Sequence, residues 1–224
     1  MEITAVIFDL DNTLLNRKLA FQDYAKRLVD TFSIDLDQAA KEEAIQTIIQ
    51  ADRNGYRKKK ELYEELLTQL QWKKELTVEE LLNYWFSQFY QCSVLMEGAL
   101  DVIHALKERG VKLGIITNGS VHSQNAKIDY VGLRQHFDII VVSDEVGVKK
   151  PDKGIFELAL QKLGVEAASS VYIGDHPRND IKGASQAGLT TIWLEGFQAW
   201  DVADIQPHYT ITELREIIDI LSQV

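Results

Sequence analysis

Cysteine is nearly absent: Cys92 stands alone in 224 residues. A single thiol excludes an internal disulfide and a cysteine-based zinc site of ordinary spacing, and it suits a reducing compartment. Long apolar runs are missing too. No stretch of about eighteen apolar residues occurs, which excludes an integral helical membrane protein. The amino-terminal segment lacks a basic start, and Asp9 and Asp11 interrupt its apolar run. No secretory signal is read there, so a cytoplasmic protein without a membrane partner is expected. Basic residues are outnumbered, 24 Lys and Arg against 34 Asp and Glu, for a formal charge of −10. That balance argues against a nucleic-acid polymer as partner, although an acidic protein can hold a locally positive pocket. The five histidines (His104, His122, His136, His176 and His208) are too scattered to argue a zinc site. What remains is the composition of an ordinary soluble chain, long enough to bury a core without staples.

Two textures alternate along it. Ile3 to Phe8 is short and β-branched and ends abruptly in Asp9-Leu10-Asp11-Asn12-Thr13. From about Lys18 to Phe89 the pattern is helical. Phe21, Tyr24, Ala25, Leu28, Val29 and Phe32 make one stripe, and Ala40, Ala44, Ile45, Ile48 and Ile49 a second. Tyr63, Leu66, Leu67 and Leu70 make a third, and Leu81, Leu82, Trp85, Phe86 and Phe89 a fourth. Thr77 with Glu80 three positions on reads as a capping box. The spacing of Trp85, Phe86 and Phe89, with Trp72 nearby, predicts packing rather than base stacking.

Beyond Met96 the pattern becomes helix, strand, helix, strand. Strands are expected at Val111–Ile116, Ile139–Val142, Val171–Ile173 and Thr190–Leu194, with Ile211 in a short last one. Helices are expected from Ala99 to Glu108, around Phe156–Leu163 and Ile181–Ala187, and from Leu214 to Leu221. Repeated strand–helix units favour a parallel sheet covered on both faces. The expected fold is a three-layer Rossmann-like α/β core, residues 1–15 and 96–224. A helical cap, residues 16–95, is inserted after the first strand.

Parallel strands bring their carboxyl ends to one edge, where open α/β sheets place their chemistry. Asp9 and Asp11 follow the first strand, Thr117 and Asn118 the second, Lys149-Lys150-Pro151 the third, and Gly174-Asp175 with Asp180 the fourth. Two neighbouring carboxylates can bind a divalent cation, or one can attack while the other handles a proton.

In that order the groups resemble the haloacid-dehalogenase superfamily of phosphatases, in the branch with a helical cap after the first core strand. Asp9-Leu10-Asp11-Asn12-Thr13 is similar to its first motif, Ile116-Thr117-Asn118 to its second, Lys150-Pro151 to its third, and Gly174-Asp175 with Asp180 to its fourth. The similarity spans nearly the full chain.

The resemblance implies that Asp9 attacks phosphorus to form an aspartyl-phosphate, and that Asp11 protonates the departing alcohol and then takes a proton from water. Thr117 and Asn118 would hold the phosphoryl group or orient Asp9. Lys150, rather than its neighbour Lys149, would neutralise charge. Mg2+ would sit on Asp9, Asp175 and the backbone carbonyl of Asp11, with Asp180 holding Lys150 or metal-bound water. In the dehalogenases the position two after the first aspartate is not an aspartate, so Asp11 favours phosphoryl transfer.

The insertion is expected to act as a lid, hinged at Leu14–Arg17 and Ser93–Glu97, with Arg17, Arg53 and Tyr56 as candidate substrate contacts. The resemblance implies a small phosphorylated metabolite as partner, such as a nucleoside monophosphate or sugar phosphate. Whether the chain is a monomer or a homodimer stays open. A β-phosphoglucomutase-like phosphotransferase is the alternative; Asn12, where those mutases usually have glycine, leans toward hydrolysis. A non-catalytic, receiver-like phosphate-binding module is the alternative from another class.

Overall fold

Ala5–Phe8 form strand β1, four residues all buried. The chain then passes through helices α1 (Arg17–Phe32), α2 (Gln38–Asp52), α3 (Lys59–Gln69) and α4 (Val78–Gln88). It continues as α5 (Ala99–Glu108), β2 (Lys112–Thr117), α6 (Val121–Tyr130), β3 (Ile139–Val142), α7 (Ser143–Val146) and α8 (Lys153–Leu163). It ends as β4 (Ser170–Gly174), α9 (Gly183–Gln186), β5 (Thr190–Leu194), β6 (Tyr209–Ile211) and α10 (Glu216–Ile220). This computed structural model describes residues 2–222. It divides into two compact units, one of Arg17–Val94 and one of the flanking segments, up to Asn16 and from Leu95 onward.

In the flanking unit the strands make one sheet in the order β3-β2-β1-β4-β5-β6, parallel throughout. Successive strand residues face opposite sides, and β1 feeds two cores. Val6 and Phe8 pack with Val102, Ile103 and Leu106 of α5, Ile128 of α6 and Ile217 of α10. Ala5 and Ile7 pack with Ile155, Phe156 and Ala159 of α8 and Ala184 of α9. The expected three-layer parallel core is therefore present.

Register decides what meets at the edge. Phe8 is level with Ile115 of β2 and Ile173 of β4, and the Asp9 amide donates to the Ile173 carbonyl at 2.9 Å. Thr117 and Asp175 lie two residues beyond those partners. β1 sits between β2 and β4, where the strand connections switch direction, the usual position of a crevice in such sheets.

The Arg17–Val94 unit buries its own core of Phe21, Tyr24 and Leu28 from α1, Ile45 and Ile48 from α2, Leu62, Tyr63 and Leu66 from α3, and Leu81 and Trp85 from α4. Asp37 caps α2 by accepting from the Ala40 amide at 2.9 Å. Thr77 and Glu80 form the capping box read from the sequence. Trp85 stacks on Phe89 with ring centroids 3.8 Å apart, and Trp72 packs against the same core, whereas Phe86 is exposed. Among the described residues no helix is long and apolar enough to cross a membrane.

Asp52, at the end of α2, is buried in this unit between two cations. Arg17 Nη1 lies 2.8 Å from its Oδ2, and Lys59 pairs with its Oδ1. Burial alone would raise the Asp52 pKa, but Arg17 and Lys59 together outweigh it and hold the carboxyl below its ordinary value. A depressed carboxylate contributes stability above the unfolded pKa of about 4, and that stability is lost as pH falls through the lower folded value. Asp52→Asn removes the shared anion of buried Arg17 and half-buried Lys59 and is expected to destabilise by about 3–5 kcal/mol at pH 7. Urea titrations of both proteins should show the gap closing in acid, below about pH 4; a gap independent of pH would refute this account.

Candidate active site

Lys150 is the hub of the carboxyl edge. Its ammonium is buried and donates to Asp9 Oδ1 at 2.5 Å, to Asp180 Oδ1 at 2.6 Å and to the Tyr172 hydroxyl at 2.9 Å, which uses all three of its protons. Tyr172 donates in turn to Asp180 Oδ1 at 3.0 Å, and the His176 amide donates to Asp180 Oδ2 at 2.9 Å. Asp180 thus has both oxygens engaged in fixing Lys150 and the turn after β4. A side chain at Gly174 would put its Cβ 2.4 Å from Asp180 Cγ, so only glycine admits this approach. Lys149 is exposed.

Asn118 braces the same lysine from the backbone. Its amide nitrogen donates to the Lys150 carbonyl at 3.0 Å, and its oxygen accepts from the Lys150 amide at 2.9 Å. Thr117 is buried, and its hydroxyl accepts from Gln124 Nε2 at 2.5 Å. The Asp11 carboxylate has partners on α6: Oδ2 accepts from Lys127 Nζ at 2.5 Å and from Gln124 Nε2 at 3.1 Å. Asn12 has a φ of 62°, in the left-handed region that glycine and asparagine both tolerate. Its identity answers a backbone demand of the loop that glycine would also meet.

Oxygens of Asp9, Asp175 and Asp180 lie within 4.8 Å of one another, and all three residues are buried. Burial pushes the Asp9 pKa up to about 7; Lys150 opposes the rise, and Asp180 and Asp11 add to it. Burial, then Asp180 and Asp9, push Asp175 well above the carboxylate range. Burial lowers the Lys150 pKa, but Asp180 and Asp9 outweigh it and keep the side chain an ammonium. One cation for three buried carboxylates leaves the centre short of positive charge. Asp175 Oδ2 is buried and has no hydrogen-bond partner among the described residues, while the Trp193 indole N–H fixes the Asp175 carbonyl at 2.9 Å. A hard divalent cation fits such an all-oxygen set, with Asp9 and Asp175 as its carboxylates.

The three candidates in the helical unit are placed differently. Arg17 is buried on Asp52, its guanidinium carbon 5.2 Å from the Phe21 ring centroid and 5.6 Å from that of Phe89. Arg53 and Tyr56 are exposed on the turn after α2. Along Arg57 to Lys60, Lys58 and Lys60 are solvated, Lys59 turns inward to Asp52, and Arg57 reaches Glu65 at 2.5 Å.

Gln124, Lys127 and Tyr172 were not singled out in the sequence. Tyr172 carries a readable signal, a polar-tipped ring in an otherwise apolar strand.

A parallel sheet whose central strand ends in a buried aspartate, beside a lysine and a cation-ready pair of carboxylates, defines an α/β protein with a charged crevice at the carboxyl edge of its sheet. The chain belongs to the haloacid dehalogenase-like hydrolases: the model of that family matches residues 6–194. Its aspartate cluster matches the aspartyl-phosphate mechanism on small phosphorylated metabolites. Pyrimidine 5'-nucleotidase YjjG of Escherichia coli (strain K12) is 35% identical over 153 residues, 67% of this chain and 68% of that protein. Glyceraldehyde 3-phosphate phosphatase of Methanocaldococcus jannaschii is 27% identical, over 99% and 98% of the two chains. The crystal structure of the putative HAD-hydrolase YfnB from Bacillus subtilis bound to magnesium superposes with a TM-score of 0.75 at 28% identity, covering 99% of each chain. Similarity of this extent, helical insertion included, sets aside the receiver-like alternative.

Proposed function

We propose that this protein is a Mg2+-dependent phosphomonoester hydrolase of small phosphorylated metabolites, working through an aspartyl-phosphate on Asp9. The observation that carries it is the buried hub in which Lys150 joins Asp9 to Asp180 beside Asp175. In the first step the Asp9 carboxylate attacks phosphorus. The bond to the alcohol oxygen breaks with its electron pair, and Asp11 protonates that oxygen. In the second, water attacks the phosphorus of the aspartyl-phosphate, Asp11 takes its proton, and phosphate leaves as Asp9 is regenerated. The Thr117 hydroxyl donates to a phosphoryl oxygen, and the Lys150 ammonium offsets the negative charge gathered between Asp9 and the phosphoryl group. Asp9, Asp175 and the Asp11 carbonyl would hold Mg2+, which would supply further charge neutralisation when bound.

Asp11 supports hydrolysis of a phosphoester over dehalogenation, since only the former needs a proton shuttle at that place. A nucleoside monophosphate is the first substrate to try, because the E. coli nucleotidase is 35% identical; sugar phosphates follow, on the likeness to the triose phosphatase.

A panel of metabolite phosphates, with released phosphate measured in Mg2+ and in EDTA, tests the proposal. Phosphate is expected from at least one nucleoside monophosphate or sugar phosphate in Mg2+, with a loss of about 100-fold or more in EDTA. Metal-insensitive release would contradict the mechanism. Conversion of glucose 1-phosphate to glucose 6-phosphate without net phosphate would identify a mutase instead.

A further inference from the structure

We propose that Gln124 and Lys127, on one face of α6, are positioning residues that set Asp11 for proton transfer and fix Thr117 as a hydrogen-bond donor. The inference rests on the phosphatase reading above and adds residues to it that none of the four motifs contains.

The helix is anchored for this task. α6 starts directly after the Thr117-Asn118-Gly119 turn, and the Ser120 side chain caps it by accepting from the Ser123 amide at 3.3 Å. Gln124 and Lys127 are three residues apart and so share a face. Both are buried, at 3% and 5% exposure, in a chain whose lysines otherwise mostly lie at the surface. A buried ammonium persists only beside an anion, and Lys127 Nζ lies 2.5 Å from Asp11 Oδ2.

Gln124 links the two reacting sides. Its Nε2 carries two protons; one points to Asp11 Oδ2 at 3.1 Å and the other to Thr117 Oγ1 at 2.5 Å. The path of this side chain is reserved by Gly119, where an added Cβ would stand 3.1 Å from Gln124 Cγ and Cδ.

Two consequences follow from these contacts. Because Thr117 Oγ1 accepts from Gln124, its own proton is directed elsewhere, toward a phosphoryl oxygen. Because two donors converge on Asp11 Oδ2, the carboxyl group is held in one rotamer and exchanges protons with the alcohol and with water at Oδ1. In the first half-reaction the P–O bond breaks, the electron pair goes to the alcohol oxygen, and the proton that Asp11 carries at Oδ1 in the substrate complex moves to it, which returns Asp11 to the carboxylate that pairs with Lys127. In the second, water gives its proton back to the same oxygen of Asp11 as it bonds to phosphorus.

Leaving groups separate this role from a structural one. An alkoxide must be protonated as it departs, whereas p-nitrophenolate leaves unaided. The measurement is kcat/KM for the best alkyl phosphate of the panel and for p-nitrophenyl phosphate, in wild type, Lys127→Met, Lys127→Arg and Gln124→Met. Lys127→Met is expected to lower the alkyl-to-aryl ratio at least tenfold, Lys127→Arg to recover most of it, and Gln124→Met to shift it in the same direction by less. Mg2+ affinity by calorimetry should stay within threefold of wild type in all of them. Equal losses on both substrates, or an unchanged ratio, would overturn the inference. If Lys127→Met does not fold, the ratio in Gln124→Met decides by the same criterion. A wild-type protein that hydrolyses neither ester in Mg2+ would defeat the phosphatase reading itself, and the inference with it.

Discussion

Asp9→Asn is expected to reduce phosphate release by about 10⁴-fold or more in kcat, in line with removal of a nucleophile whose partners act as a unit. The side chain keeps its shape and loses its attacking oxygen anion. Stability should move the other way. In the metal-free protein burial holds the Asp9 pKa at about 7, above the ordinary 3.8. The folded state then binds more protons than the unfolded state between those values, so stability falls as pH rises through that window. An amide stands in for the protonated carboxyl and escapes the penalty. In EDTA at pH 8, Asp9→Asn is therefore expected to melt at a higher temperature than wild type, and near pH 4 the two should coincide. Thermal unfolding at the two pH values, beside a phosphate-release assay in Mg2+, checks both halves. An inactive variant that is also less stable at pH 8 would mean that activity was lost through the fold, and the nucleophile assignment would lack support.

Much of this arrangement was legible in the sequence for definite reasons. β-Branched runs such as Ile139–Val142 and Thr190–Leu194 coincide with β3 and β5, because strands of a sheet covered on both faces favour β-branched and apolar residues. The stripe from Phe21 to Phe32 marks α1, since a helix packed on one side repeats its apolar residues at three and four. The acidic strand end stood out because Asp9 and Asp11 terminate an apolar run. Gln124 and Lys127 did not stand out. On α6 they look like the solvated face of an amphipathic helix, and only the neighbouring loop of β1 turns that face into an interior. Their burial is a property of tertiary structure, and polar spacing alone points the wrong way. The same holds for Asp52, which ends α2 as any surface residue might, yet is enclosed by Arg17 and Lys59 from elsewhere in the chain. The left-handed turn at Asn12 was similarly hidden, since asparagine is compatible with many conformations and glycine would have announced it.

Lys150→Met is the other substitution with a large expected effect, and it acts on both stability and chemistry. Lys150 is the cation for Asp9 and Asp180, with Asp175 in the same buried cluster. A methionine of similar length fills the space but leaves the carboxylates uncompensated, and breaking a buried ion pair from one side costs about 3–5 kcal/mol. Burial of Asp9 and Asp175 already favours their protonated forms, and loss of the ammonium strengthens that preference. Folding of the variant then takes up protons, so its deficit should shrink as pH is lowered from 8 to 5. Urea midpoints at the two pH values measure this directly. Divalent cation should narrow the gap at pH 8, because the variant's uncompensated carboxylates bind it more tightly than those of wild type, and a ligand bound only by the folded state stabilises in proportion to that affinity. Activity should fall about 10³-fold even where the variant is folded, since the charge gathered between Asp9 and the phosphoryl oxygens has lost its fixed counter-charge. Lys150→Arg is not expected to restore it. The ammonium places three protons on Asp9, Asp180 and Tyr172 from a single nitrogen, whereas a planar guanidinium spreads its donors over a fork that this closed pocket does not match. Full activity in Lys150→Arg, or a deficit in Lys150→Met that grows toward pH 5, would show that the hub works by a different balance of charge.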